Sequence, residues 1–97
     1  MPTYIILANY TSIGIRNING TTQRARDFKT ETEKAGVKVK DIYWTMGHHD
    51  LVIIVESPDD ESMAGVLIAL GRLGNVTTQT LRGFSVDDME NIIGKLP

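Results

Sequence analysis

The stretch Leu51-Val52-Ile53-Ile54-Val55 decides the fold. Five consecutive large aliphatics, four of them β-branched, sit between His48-His49-Asp50 and Glu56-Ser57-Pro58. So short and continuous an apolar run between polar and turn-forming residues is a strand that leaves water on both faces. Upstream, Val37, Val39 and Asp41 alternate with Lys38, Lys40 and Ile42 and lead into Tyr43-Trp44-Thr45-Met46, a second strand. A parallel crossover needs a dozen or more residues, so these two strands form an antiparallel hairpin. Gly47 supplies the tight turn.

Working outward, Tyr4-Ile5-Ile6-Leu7-Ala8 marks a strand over residues 3–10. Residues 11–20 lack a clean period and end in the turn signal Asn19-Gly20. From Thr21 to Gly36 a narrow stripe of Ala25, Phe28, Thr32 and Ala35 predicts a helix. After the central run, Ser57 as N-cap, Pro58 at the first helical position and Asp59-Asp60 near the positive helix end open a second helix. Met63, Val66, Leu67, Leu70 and Leu73 make its apolar face, and Gly74-Asn75 stops it. Val76 to Phe84 reads as a Thr-rich fourth strand. Ser85, with Asp88 three residues on, caps a short last helix whose inner side would be Met89, Ile92 and Ile93. The order β-α-β-β-α-β plus a C-terminal helix is that of the ferredoxin-like α+β sandwich.

The chain of 97 residues makes one domain, residues 1–97. Ten basic residues against twelve acidic give a net charge of −2, which speaks against nucleic acid as a partner. The charge is uneven: residues 1–50 carry seven Lys/Arg and five Asp/Glu, residues 51–97 three and seven. With no Cys there is no disulfide, thiol nucleophile or thiolate metal site, in keeping with a cytoplasmic protein. No apolar run approaches the ~20 residues of a spanning helix, so a membrane is not expected as a partner. Asn-x-Thr triplets at Asn9, Asn19 and Asn75 would matter only in a secreted glycoprotein.

A solitary sandwich of this type wets one face of its sheet, and its strands should then alternate apolar with polar. The first and third strands do not. Their second apolar face calls for cover, either by a second copy of the same sheet in a two-fold homodimer or by the C-terminal helix folding across it.

Several blocks, taken together, resemble the GYD-domain family. They are Asn9-Tyr10-Thr11 with Gly14, Tyr43-Trp44-Thr45-Met46-Gly47 with Asp50, and Pro58-Asp59-Asp60. Leu70-Gly71, Gly74-Asn75-Val76 and Thr80-Leu81-Arg82-Gly83-Phe84 complete the set. The resemblance implies a dimeric α+β barrel and leaves the activity open. The family's usual Gly-x-Tyr-Asp stands here as Gly47-His48-His49-Asp50, with His49 in place of the tyrosine. The effector-sensing domain of feast/famine regulators is more distantly similar; its helix-turn-helix has no counterpart ahead of a sheet that begins at residue 3.

Two groups of residues could carry chemistry. His48, His49 and Asp50 hold two titratable rings and a carboxylate beside the hairpin turn. In a regular strand His48 and Asp50 share a face and His49 does not. They could contact haem, as in related barrels, contribute to a metal site, or simply decorate the turn; no protein-only metal site is expected, since too few ligands converge. Tyr10, Trp44 and Arg82 could wall a pocket for a small planar or anionic molecule, or pack at the sheet edge and subunit seam. No phosphate loop, nucleophile elbow or zinc helix is present. The expected function is a self-associating small-molecule-binding module, with catalytic residues and cofactor unknown. A small haem-dependent or cofactor-poor monooxygenase or isomerase of the same superfamily is the alternative, and a structural assembly unit the third.

Overall fold

The computed structural model describes residues Met1–Pro97. Strands β1 (Thr3–Tyr10), β2 (Lys38–Trp44), β3 (Leu51–Glu56) and β4 (Val76–Gly83) form one antiparallel sheet in the order β2-β3-β1-β4. Helix α2 (Thr21–Lys34) links β1 to β2, and α3 (Asp60–Arg72) links β3 to β4. This is the ferredoxin-like α+β sandwich predicted from the periodicities.

Residues paired across an antiparallel ladder share a face. The core face therefore carries Tyr4 and Ile6 of β1 and Ile53 and Val55 of β3, closed from above by Met63 and Val66 of α3. Phe28 of α2, Ile42 and Leu67 pack against that cluster. The opposite face presents Ile5, Leu7, Val52 and Ile54, flanked by Tyr43 and Leu81, and no helix covers it. Both Val52 and Ile54 point to this bare side, as residues two apart on a strand must.

Simple alternation in β2 would bury Asp41 with Val37 and Val39. The structure corrects this: Val39 pairs with Val55, but Asp41 pairs with Ile54, a β-bulge that inserts Lys40. The extra residue sends Asp41 to the bare face and Ile42 into the core. The hairpin then turns at Gly47 with φ of 113°, a conformation that disfavours side chains.

Three further expectations are corrected. Residues 11–20 are not a plain connection. They form α1 (Ser12–Arg16) and a 3-10 turn (Ile18–Gly20), too short to show a period. Thr11 caps α1 by accepting from the Gly14 N–H at 3.1 Å, and its hydroxyl donates to the Gly74 carbonyl at 2.6 Å. The N-cap of α3 is Asp59, whose carboxylate accepts from the Ser62 N–H at 2.7 Å. Ser57 is instead fully buried and donates to the Asp59 carbonyl.

The third correction concerns α4 (Val86–Gly94). Ser85 and Asp88 do form the capping box. Yet Met89, Ile92 and Ile93 have no inner side to face: they are exposed, as are Val86 and Leu96, and α4 makes no extensive contact with any other element. It does not fold over the bare sheet face. The projecting arm shows in the dimensions, 50 × 31 × 18 Å, and in a radius of gyration of 14.6 Å. A compact chain of this length would have about 12.5 Å.

Candidate functional site

Helix α2 lies on β2 and α3 on β4, and the space between the helices is not filled. A cleft of about 730 Å3 opens there, floored by Ala8, Tyr10, Ile42, Leu51 and Ile53 of the sheet. Small residues line it, Ala25 from α2 and Ala35 just after that helix, Gly65 and Ala69 from α3. Such side chains cannot bridge two helices, which is why the gap persists. The volume falls within the ~300–1,000 Å3 of ordinary ligand sites.

One end of the cleft is polar and hydrogen-bonded. The Tyr10 hydroxyl and Thr21 Oγ1 lie 2.7 Å apart, and the Trp44 indole N–H is shared between them at 3.0 and 3.2 Å. Three elements meet there: the end of β1, the start of α2 and the end of β2. Arg24, one turn beyond Thr21 on α2, lines the same cleft. Its Nη1 donates to the Asn17 carbonyl at 2.8 Å, while Nη2 is shielded from solvent and has no partner.

Tyr10 and Trp44, expected from the sequence, are thus brought together. Asp50 lies close by in a positioning role: its carboxylate accepts from the Tyr10 backbone N–H at 2.9 Å. Its own N–H is shared by the Ala8 carbonyl and Asn9 Oδ1 at 2.9 and 3.1 Å. Asp50 therefore stitches the hairpin to the end of β1. His48 is exposed; His49 is half-buried, its backbone carbonyl accepting from Thr45 Oγ1 at 2.5 Å and its ring Nδ1 unpaired. No group of three or more His, Asp or Glu side chains converges so as to hold a metal ion.

Arg82 is elsewhere. It pairs with Tyr4, whereas Tyr10 pairs with Val76, six residues or about 20 Å along the strand. There its guanidinium stacks on the Tyr4 and Phe84 rings at 5.6 and 4.6 Å and donates to the Thr3 and Gly83 carbonyls. The Tyr4 hydroxyl donates to the Asp60 carboxylate, and this bond holds the phenol pKa above its ordinary value. The helix caps act oppositely on Asp59 and Asp88, whose carboxyls are lowered by the Ser62 and Ser85 backbone N–H groups they accept from. Arg82 and Tyr10 form no common pocket within one chain.

Thr21 and Arg24 escaped sequence reasoning, which began the α2 stripe at Ala25. Continued one turn back, the same stripe reaches Thr21, and that was the available signal.

A protein of Thermus thermophilus named glutamine synthetase and cystathionine beta-lyase binding protein is 32% identical over 90 residues. The match covers 92% of this chain and 95% of that protein. Among solved structures, MtbAldR is similar with a TM-score of 0.69 at 19% identity, over 87% of this chain. The match takes in 52% of that chain, so the present one spans about half its length, and the likeness is one of fold. The profile of the GYD domain matches residues 4–93, nearly the whole sequence. This chain, with its four-stranded sheet, paired helices and hairpin ending in Asp50, belongs to the GYD domain family.

Proposed function

We propose that the chain is a cytoplasmic, self-associating binding module that holds a small, largely apolar molecule in the cleft between α2 and α3. The observation that carries this reading is the cleft itself, about 730 Å3 and lined mainly by apolar side chains, with the polar group Tyr10, Thr21 and Arg24 at one end. That is the make-up of a small-molecule site. Self-association rests on the uncovered face of Ile5, Leu7, Val52 and Ile54, which a second sheet would bury, giving the dimeric α+β barrel. Tyr10 walls the polar end, Trp44 bonds to its hydroxyl without lining the cleft, and Asp50 fixes the backbone that carries Tyr10. Native mass spectrometry of the protein purified from its own cell tests both parts together. A dimer mass with a retained small molecule supports the reading; a bare monomer refutes it.

A second reading follows from the Thermus thermophilus relative, whose name states that it binds glutamine synthetase and cystathionine beta-lyase. On this reading the chain docks onto metabolic enzymes, and the cleft occupant tunes that docking. Co-elution with purified glutamine synthetase or cystathionine beta-lyase would support it, and separate elution of both mixtures would refute it.

A further inference from the structure

The cleft has a chemical polarity that selects its ligand. Tyr10, Thr21 and Trp44 bring three polar hydrogens to one point. The indole hydrogen is shared by the two oxygens, and one hydroxyl hydrogen joins the oxygens to each other. The remaining hydroxyl hydrogen has no acceptor in the protein. Beside it, Arg24 keeps a guanidinium nitrogen shielded from water and unpaired, which is costly for a cationic donor. Both features ask for the same thing, an acceptor. The acidic side chains of the same cleft do not supply it. Asp27 accepts from Gln23 at 3.0 Å and Glu31 pairs with Lys34 at 3.2 Å, and neither bonds to Arg24. The rest of the cavity runs along Phe28, Ile53, Val66 and Leu70 and is mainly apolar; the other cation on its wall, Arg72, belongs to the last turn of α3.

We propose that the cleft binds an amphipathic monocarboxylate, its headgroup seated between Arg24 and the Tyr10–Thr21 hydroxyls and its apolar tail lying between α2 and α3. This rests on the cleft being the ligand site. A turn of the Arg24 side chain toward the cleft it lines brings Nη2, which has no accessible surface as it stands, to a carboxylate that also accepts the spare hydroxyl hydrogen, and charge-assisted bonds of that kind are the strong ones.

The test uses the whole protein, with decanoate and 1-decanol as probes of equal chain length. Trp44, the one tryptophan of the chain, reports by its fluorescence, since its N–H is bonded to the groups the headgroup would engage. Decanoate should bind about tenfold more tightly than decanol. Arg24→Gln should abolish that preference, and Arg24→Lys should retain part of it. Gly65→Leu, placed where a new Cβ meets nothing within 4 Å, should fill the cleft and remove binding of both probes. Equal affinity for the two probes, or a preference unchanged in both Arg24 variants, overturns the carboxylate assignment and leaves the cleft as a neutral site. Absence of binding by either probe, or binding indifferent to Gly65→Leu, overturns the cleft reading and this inference with it.

Discussion

Gly14→Ala should destabilise the fold from a position that looks innocuous in sequence. Gly14 sits in α1 with ordinary negative φ, so alanine is not conformationally strained there. The obstacle is spatial. A Cβ would lie 1.9 Å from the Asn75 carbonyl oxygen and 2.9 Å from its carbon, both main-chain atoms, and 3.1 Å from Tyr10 Cδ1. The same carbonyl accepts from the Thr11 N–H at 3.0 Å, so pushing it away strains the bond that joins α1 to the start of β4. Overpacking of this kind costs about 1–3 kcal/mol. A lost backbone bond adds about 1 kcal/mol. Replacing glycine by alanine in a helix returns about 0.5–1 kcal/mol. The net loss is about 2 kcal/mol, which in a domain of this size lowers the midpoint by about 8–16 °C. The assay is thermal unfolding by circular dichroism at one fixed protein concentration, because self-association shifts the midpoint by mass action. A midpoint within about 2 °C of wild type would show that α1 yields to the methyl group and refute the reasoning.

Gly65→Ala should do the opposite, since its Cβ meets nothing and the helix loses a flexible residue; a gain of about 0.5–1 kcal/mol is expected, and a lower midpoint would contradict it. Ile54→Lys places a charge on the bare sheet face, so light scattering should give a dimer for wild type and a monomer or aggregate for the variant; a well-folded wild-type monomer at micromolar concentration refutes sheet-face pairing. Asp59 and Asp88 have pKa values lowered by folding, so their contribution is complete above the unfolded value of 3.8 and is lost as pH falls through the lower folded values. Asn at both positions keeps the cap acceptors without titrating and should flatten the acid side of the stability profile; an unchanged slope assigns acid unfolding to other groups. Tyr4 runs the other way. Its pKa is raised, so the stability it lends is present below 10.0 and is lost as pH rises through the folded value; Tyr4→Phe should remove that alkaline step, and persistence of the step would show that Tyr4 does not cause it.

The architecture was legible because its strands and helices are long enough to show a period, and Leu51–Val55 permits only a buried strand. What escaped was what periodicity does not encode. The bulge at Lys40 reverses the two faces of β2 without changing its composition. Five residues of α1 are too few to reveal a helix, and its close fit against Asn75 depends on Gly14 lacking a side chain. Ser57 and Asp59 are both good caps, and only the backbone path selects the second. At the site, Tyr10 and Trp44 were found as aromatics, but the sequence carries no sign that Arg82 lies at the far end of the sheet. Ladder register separates them, and register is a property of pairing. The cleft was hidden for a different reason: it is formed by absence, by alanines and glycines too small to fill the space between two helices.

The bulge in β2 also governs how this sheet can grow. Each sheet has two free edges, β2 and β4. The first is interrupted by the extra Lys40 and decorated by Lys38 and Asp41, features that hinder an incoming strand. The second is eight residues of regular, Thr-rich backbone with its outer hydrogen-bonding groups open. Strand addition at β4 is therefore a one-time event: two sheets that join β4 to β4 present only bulged β2 edges outward. A fibre needs an edge that renews itself with every added subunit, and this sheet has none.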